Sequence, residues 1–204
     1  MFSAIKNDEE SARLTLDLWC NELDEHRLAV EATANSAAQA FCETIAILEG
    51  SIRRGGKILL FGNGGSAADA QHIAAELVVR YKSDRLPIAA LALTTDTSTL
   101  TACANDLGYD RIFERQIEAI GRNGDVAFAI STSGRSSNVL RGLRQARVMG
   151  LQTIGLAGGT GAEMRDICDS IIVVPSTITS RIQEMHITLG HMLCKALEER
   201  LGLV

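Results

Sequence analysis

The sequence predicts an α/β fold: a doubly wound, five-stranded parallel sheet flanked by helices, with N-terminal helices ahead of it and a long C-terminal helix behind. Three observations carry this reading. From residue 57 onward, short apolar runs alternate with stretches of helical periodicity, and repeated strand–helix units build parallel sheets with helices on both faces. Two of the runs open directly into Gly/Ser-rich loops, at Gly62–Ser66 and Ser131–Asn138. The segment before Gly50 holds neither Gly nor Pro, and its apolar residues recur at helical spacing.

Taken in order, Leu16, Trp19 and Leu23, then Val30, Ala34, Ala37, Phe41, Ile45 and Leu48 mark N-terminal helices that cover the sheet or pair with another subunit. Trp19 and Phe41 read as packing residues. Lys57–Phe61 is the first strand, because a buried parallel strand is a short continuous apolar run. The alanine-rich stretch after Gly65 is a helix to about Tyr81, with Ser66 or Asn63 as its expected cap. Pro87 marks a boundary, and Ile88–Leu93 is the second strand. The polar loop Thr94–Ser98 leads into a short helix ending near Asn105, and Asp110–Ile120 is another helix, closed by Gly121. Val126–Ile130 is the third strand, and Val139–Met149 is a helix ended by Gly150. Thr153–Ala157 and Ile171–Val174 are the fourth and fifth strands, the latter stopped by Pro175. A helix from about Thr179 to Leu201 finishes the chain. With no low-complexity linker, residues 1–204 read as a single domain with an N-terminal helical extension.

Composition narrows the function. The 204 residues suffice for one sizeable core. Twenty basic against 25 acidic residues give a net charge of −5 without a basic tract, and only 4% of residues are aromatic. Neither charge nor stacking surface supports a nucleic-acid partner. Five cysteines, Cys20, Cys42, Cys103, Cys168 and Cys194, form no CxxC pair and read as reduced thiols of a cytoplasmic protein. The N-terminus turns acidic within ten residues, unlike a leader peptide. No run of about 20 apolar residues predicts a membrane span.

The chemistry-bearing stretches follow strands. Gly62-Asn63-Gly64-Gly65-Ser66 fits neither a dinucleotide fingerprint nor a Walker loop. Its glycines permit a sharp turn and close backbone approach, and the following helix start suits an anion. His72 and Glu76, four apart, project from one face of that helix. Ser131–Asn138 packs five hydroxyl residues, Gly134 and Arg135 into eight positions. It lacks a Walker lysine and a nearby acidic pair for magnesium, so a phosphosugar fits better than a nucleoside triphosphate. On the last helix, at about 100° per residue, Glu184 nearly aligns with His191, Gln183 lies within a quarter turn of His191, and His186 points well away. Spacing alone does not choose between the two histidines. Ligands of doubly wound sheets bind beyond the carboxyl ends of the strands, near the switch in strand order, and both Gly/Ser loops fall there.

Gly62–Ser66 with His72 and Glu76, then Asn105-Asp106, Ser131–Gly134, Arg181-Ile182-Gln183-Glu184 and His191, taken together, resemble the phosphoheptose isomerase family, which has the sugar isomerase (SIS) fold. The resemblance covers nearly the whole chain in the same order. It implies conversion of sedoheptulose 7-phosphate to D-glycero-D-manno-heptose 7-phosphate for heptose pathways such as lipopolysaccharide, by a homotetramer with sites shared between subunits. It implies one zinc ion (Zn2+) per site on His72, Glu76, Gln183 and His191, with Glu76 and His191 as the proposed base and acid. It implies substrate contacts from Asn63, Gly64, Gly65, Ser66, Glu76, Asn105, Asp106, Ser131, Thr132, Ser133, Ser136 and Gln183. Arg135 stands where the family often has Asn and is not counted as a site residue. The chemistry agrees, because ketose–aldose exchange needs a base and a group or metal that stabilises the developing oxyanion. The alternative is a non-catalytic relative that binds a replication initiator or senses a sugar phosphate. The initiator-binding type resembles this chain at Arg181–His186 but lacks the Glu at 76 and the His at 191. A regulator would bring a DNA-binding domain for which this chain has no room.

Overall fold

The structure, a computed structural model, describes residues 8–204; most of the acidic N-terminal stretch lies outside the described residues. Helices α1 (Asp8–Ser36) and α2 (Ala38–Arg53) precede strand β1 (Ile58–Gly62). Then come α3 (Gly65–Val78), β2 (Ala90–Ala92), α4 (Thr97–Asp106), a short 3₁₀ turn at Tyr109–Arg111 and α5 (Ile112–Ile120). β3 (Val126–Ser131), α6 (Ser137–Val148), β4 (Gln152–Gly158), a second 3₁₀ turn (Ala162–Asp166), β5 (Ser170–Val174) and α7 (Thr179–Leu201) complete the chain.

All four strand pairings are parallel, in the order β2-β1-β3-β4-β5. The chain moves from β1 outward to β2, then returns to the other side of β1 with β3. The switch point therefore lies between β1 and β3. Alternation along β1 divides the core into two layers: Ile58 and Leu60 face α2, α3 and α7, while Leu59 and Phe61 face α5 and α6. Every residue of β1 and β3 is buried, which is why both read as unbroken apolar runs.

The predicted order of elements is observed, with local differences. β2 is three residues, not six; Ile88 and Leu93 are buried but lie outside the ladder. α3 stops at Val78 rather than near Tyr81. The N-terminal helices break at Ala37, where no Gly or Pro announces it. Neither Ser66 nor Asn63 caps α3: Gly64 takes the cap position at φ 55° without a side-chain bond, because the Asn63 amide is engaged elsewhere. Trp19 does not pack within the chain. It is 66% exposed, on a helix that also exposes Leu14, Leu16, Leu18, Leu23 and Leu28.

Candidate active site

The switch point is closed by an amide pair. Asn63, just past β1, and Asn138, in the first turn of α6, exchange side-chain hydrogen bonds of 2.8 Å in each direction, and the Tyr109 hydroxyl donates to Asn63 Oδ1 at 3.1 Å. This use of the Asn63 side chain explains why it does not cap α3. A Cβ at Gly62 would strike the Ile130 carbonyl and Ser66, so the two loops approach closely only because residue 62 is glycine.

The second loop is organised by its own hydroxyls. Ser131 Oγ lies 3.3 Å from Ser136 Oγ and accepts from the Gly134 N–H at 3.2 Å, and Ser133 Oγ accepts from the Arg135 N–H at 3.2 Å. Gly134 takes φ 64° with its α-carbon against the Gly161 backbone. The N-cap Ser136 side chain makes no capping bond, and Val139 N–H is taken by Asn138 Oδ1 at 2.9 Å, so the N–H groups of Ser137 and Asn138 and the positive dipole end of α6 are left toward the loop. A cleft of about 380 Å³ opens here, lined by Thr132, Ser133, Arg135, Gly158, Gly159 and Thr179 among others. The Thr132, Ser133 and Thr179 hydroxyls and the Arg135 guanidinium that line it are groups able to bind an anion.

Beside it, α3 and α7 run in the same direction, and three titratable groups meet between them. His72 Nε2 lies 3.0 Å from His191 Nε2 and 3.3 Å from Glu76 Oε1. One ligand atom from each of the three lies within 4.8 Å of the others. Two imidazole nitrogens on one tetrahedral zinc stand about 3.3 Å apart, given bonds of 2.0–2.1 Å, close to the spacing of the two histidine nitrogens here, so the donor types and their clustering are compatible with zinc. Gln183 is placed differently. Its amide packs on Gly65, seven residues and about 10 Å of helix rise before His72. It stands on the Gly62–Ser66 side of the histidine–glutamate cluster. Asn105 and Asp106 hydrogen-bond each other at 2.7 Å at the exposed end of α4, three residues before Tyr109 and its bond to Asn63.

The remaining residues of the last-helix motif do structural work. Glu184 binds His26 Nδ1 at 2.7 Å and Arg181 at 2.9 Å, and buried Arg181 binds Glu22 at 2.7 Å, so this pair fastens α7 to α1. His186 is fully buried with neither ring nitrogen in good hydrogen-bond geometry, and burial pulls its pKa down to about 4 against the weaker opposing pull of the Ala157 backbone. It does not reach the cluster. Asp69, one turn before His72, is half-buried with Oδ2 unpartnered, and burial raises its pKa to about 6 against the opposing pull of His72.

Comparison with known proteins now bears on this arrangement. The SIS domain family pattern matches residues 19–158. The phosphoheptose isomerase of Paramagnetospirillum magneticum is 55% identical over 87% of this chain and 92% of its own length. The chain belongs to the phosphoheptose isomerase family. Its fold is that of the solved phosphoheptose isomerases from Neisseria gonorrhoeae (37% identity, TM-score 0.86, 91% of this chain and 99% of that one) and Francisella tularensis (32%, 0.87, 91% and 98%).

Within this isomerase frame, four contributors escaped the sequence reading. Asn138 was visible only as part of a polar loop. Arg135 was set aside, yet it lines the cleft. Tyr109 followed a helix end without any signal of a site. Tyr81 was taken for the last turn of α3, but it lies beyond that helix with its ring stacked on His191, centroids 5.3 Å apart and planes at 25°. Helical spacing finds residues on one face of one element; it does not find a ring delivered by a neighbouring loop.

Proposed function

We propose that the chain is an aldose–ketose isomerase that converts sedoheptulose 7-phosphate to D-glycero-D-manno-heptose 7-phosphate through an enediol. The observation that carries this is the meeting of Glu76 with His72 and His191 on the helix that leaves the Gly62–Ser66 loop at the β1/β3 switch point. The phosphate rests on Ser131, Thr132, Ser133 and Ser136 with the start of α6, and Asn63–Ser66, Gln183, Asn105 and Asp106 hold the sugar. Glu76 takes a proton from C1 of the ketose while the C2 oxygen gains one. His191, as acid and base, moves protons at the C1 and C2 oxygens. Glu76 returns a proton to C2, leaving the aldehyde at C1. Atoms and electrons balance within the sugar, so no oxidant or reductant is consumed. As an alternative use of the same side chains, His72, Glu76 and His191, with Gln183 brought to them as a fourth donor, would hold zinc, which would supply Lewis-acid stabilisation of the oxyanion.

The same reading includes a homo-oligomer, a tetramer with sites shared between subunits. Its support is the exposed apolar α1, together with an apolar groove of about 430 Å³ lined by Val30, Ala34, Phe41, Met185, Leu189 and Met192, since closed symmetric assemblies bury such surfaces. The cytoplasmic placement rests on the unpaired cysteines; no described helix is long and apolar enough to cross a membrane. Metal analysis of purified protein beside an isomerase assay on sedoheptulose 7-phosphate tests the function. Turnover with about one zinc per chain is the expected result; specific sugar-phosphate binding with no turnover would favour the non-catalytic alternative.

A further inference from the structure

Resting on that reading of the site, we infer that Tyr81 is a positioning residue for His191, held in place by a buried Arg85–Glu198 ion pair that joins the ends of α3 and α7. The His191 imidazole is clamped from two sides. His72 meets it edge-on, with ring centroids 5.0 Å apart and planes at 64°, and Tyr81 lies nearly parallel to it at 5.3 Å. Stacking of this kind restricts the rotation of an imidazole that would otherwise turn freely on a partly exposed helix face.

Tyr81 itself belongs to no helix or strand, so its position needs a cause. Glu198 stands seven residues after His191, within about 20° of it on the helical wheel. Its Oε1 accepts from the Tyr81 backbone N–H at 3.1 Å and from Arg85 Nε at 2.7 Å. The Arg85 guanidinium then donates to the carbonyls of Glu76 and Leu77, at 2.8 and 2.7 Å. α3 lacks a glycine at its end, and Arg85 supplies the positive charge and donors that its last carbonyls need. Both charged side chains are fully buried, at 0% and 2% exposure. A buried ion pair is a weak source of net stability, since an apolar pair of equal volume does as well. What this one supplies is geometry: a single Glu198 oxygen fixes the Tyr81 backbone, and through Arg85 it fixes the turn of α3 that carries Glu76. The residues that set the His191 plane and the Glu76 turn are thus tied to one carboxylate.

The test uses the full-length protein with Tyr81→Leu and Tyr81→Phe, both at a half-buried surface position. Three readouts are taken: the His191 ring proton resonances of the metal-free protein, the affinity for cobalt(II), and kcat and KM separately. In Tyr81→Leu the His191 protons lose the shift imposed by a stacked ring, cobalt affinity falls about tenfold, the lower end of the effect of losing a support behind a ligand, and kcat falls comparably with KM nearly unchanged. Tyr81→Phe, which keeps the ring, matches the unaltered protein in all three. Unaltered cobalt affinity and kcat in Tyr81→Leu would overturn the inference, as would equal damage in Tyr81→Phe. If the unaltered protein binds cobalt but does not isomerise the sugar, the isomerase reading fails while the ring resonances and cobalt affinity still judge Tyr81. If it binds no cobalt, the ring resonances alone judge it, and their invariance in Tyr81→Leu would overturn it.

Discussion

Two histidines five residues apart on α7 have opposite fates. His191 lies part-exposed against His72 and Tyr81, while His186 is fully buried in the core. That divergence was readable from the 100° wheel, but its direction was not; only the family resemblance pointed to His191. Burial gives His186 a consequence of its own. Its folded pKa of about 4 lies below its ordinary 6.5, so between those values the unfolded chain binds a proton that the folded chain refuses, and stability rises with pH across that window. Replacement by Leu should remove this contribution, on the order of 3 kcal/mol over the whole window. Urea denaturation of both proteins at pH 4.5 and pH 7 checks it, and equal pH dependence would refute it. The hydroxyl-rich loop makes a different demand. Ser133→Ala should weaken substrate binding about ten- to a hundredfold, the loss of a hydrogen bond to a charged group. Calorimetry with substrate and with inorganic phosphate reads this, and unchanged affinity for both in the combined Ser131 and Ser133 change would count against the assignment.

At the scale of elements, β1, β3 and α7 were legible because each is long or wholly buried, so one physical demand governs every position. β2 is shorter than its apolar run because Ile88 is apolar for packing and donates its N–H to Leu77, while Leu93, just past the last paired residue, adds only a single N–H bond to Leu60 of β1. Caps were misread because local rules assume a polar side chain has nothing better to do. Asn63 has Asn138, brought from 75 residues away by the β1–β3 pairing. α1 was legible as a helix that either covers the sheet or pairs with another subunit, and on the isolated chain it exposes most of its large apolar residues. Those residues predict that assembly depends on α1. Changing Leu16 and Leu23 together to Asp should shift the protein to a smaller species in light scattering, whereas the unaltered protein should show several times 21.9 kDa. An unaltered protein that runs as a clean monomer at micromolar concentration would sink the oligomer.

Over the whole molecule, the strand order 2-1-3-4-5 puts the loops after β1 and β3 on either side of the point where the order of strands reverses. The alternation of strands and helices announced this fold, and the two Gly/Ser loops announced the end of the sheet that matters. What alternation cannot announce is how α3 and α7, more than a hundred residues apart, approach one another; Gly190 against Ile73 and Gly65 against Gln183 permit that approach. The central claim is that Glu76, delivered by α3 to the histidines of α3 and α7, moves the proton between C1 and C2. The most direct measurement is turnover of sedoheptulose 7-phosphate in deuterium oxide by the unaltered protein and by Glu76→Gln, with assembly and metal content matched. The unaltered enzyme should release aldose carrying deuterium at C2, and Glu76→Gln should be slower by about 10²-fold or more, the scale of general acid–base catalysis. Undiminished turnover and deuterium incorporation in Glu76→Gln would contradict it.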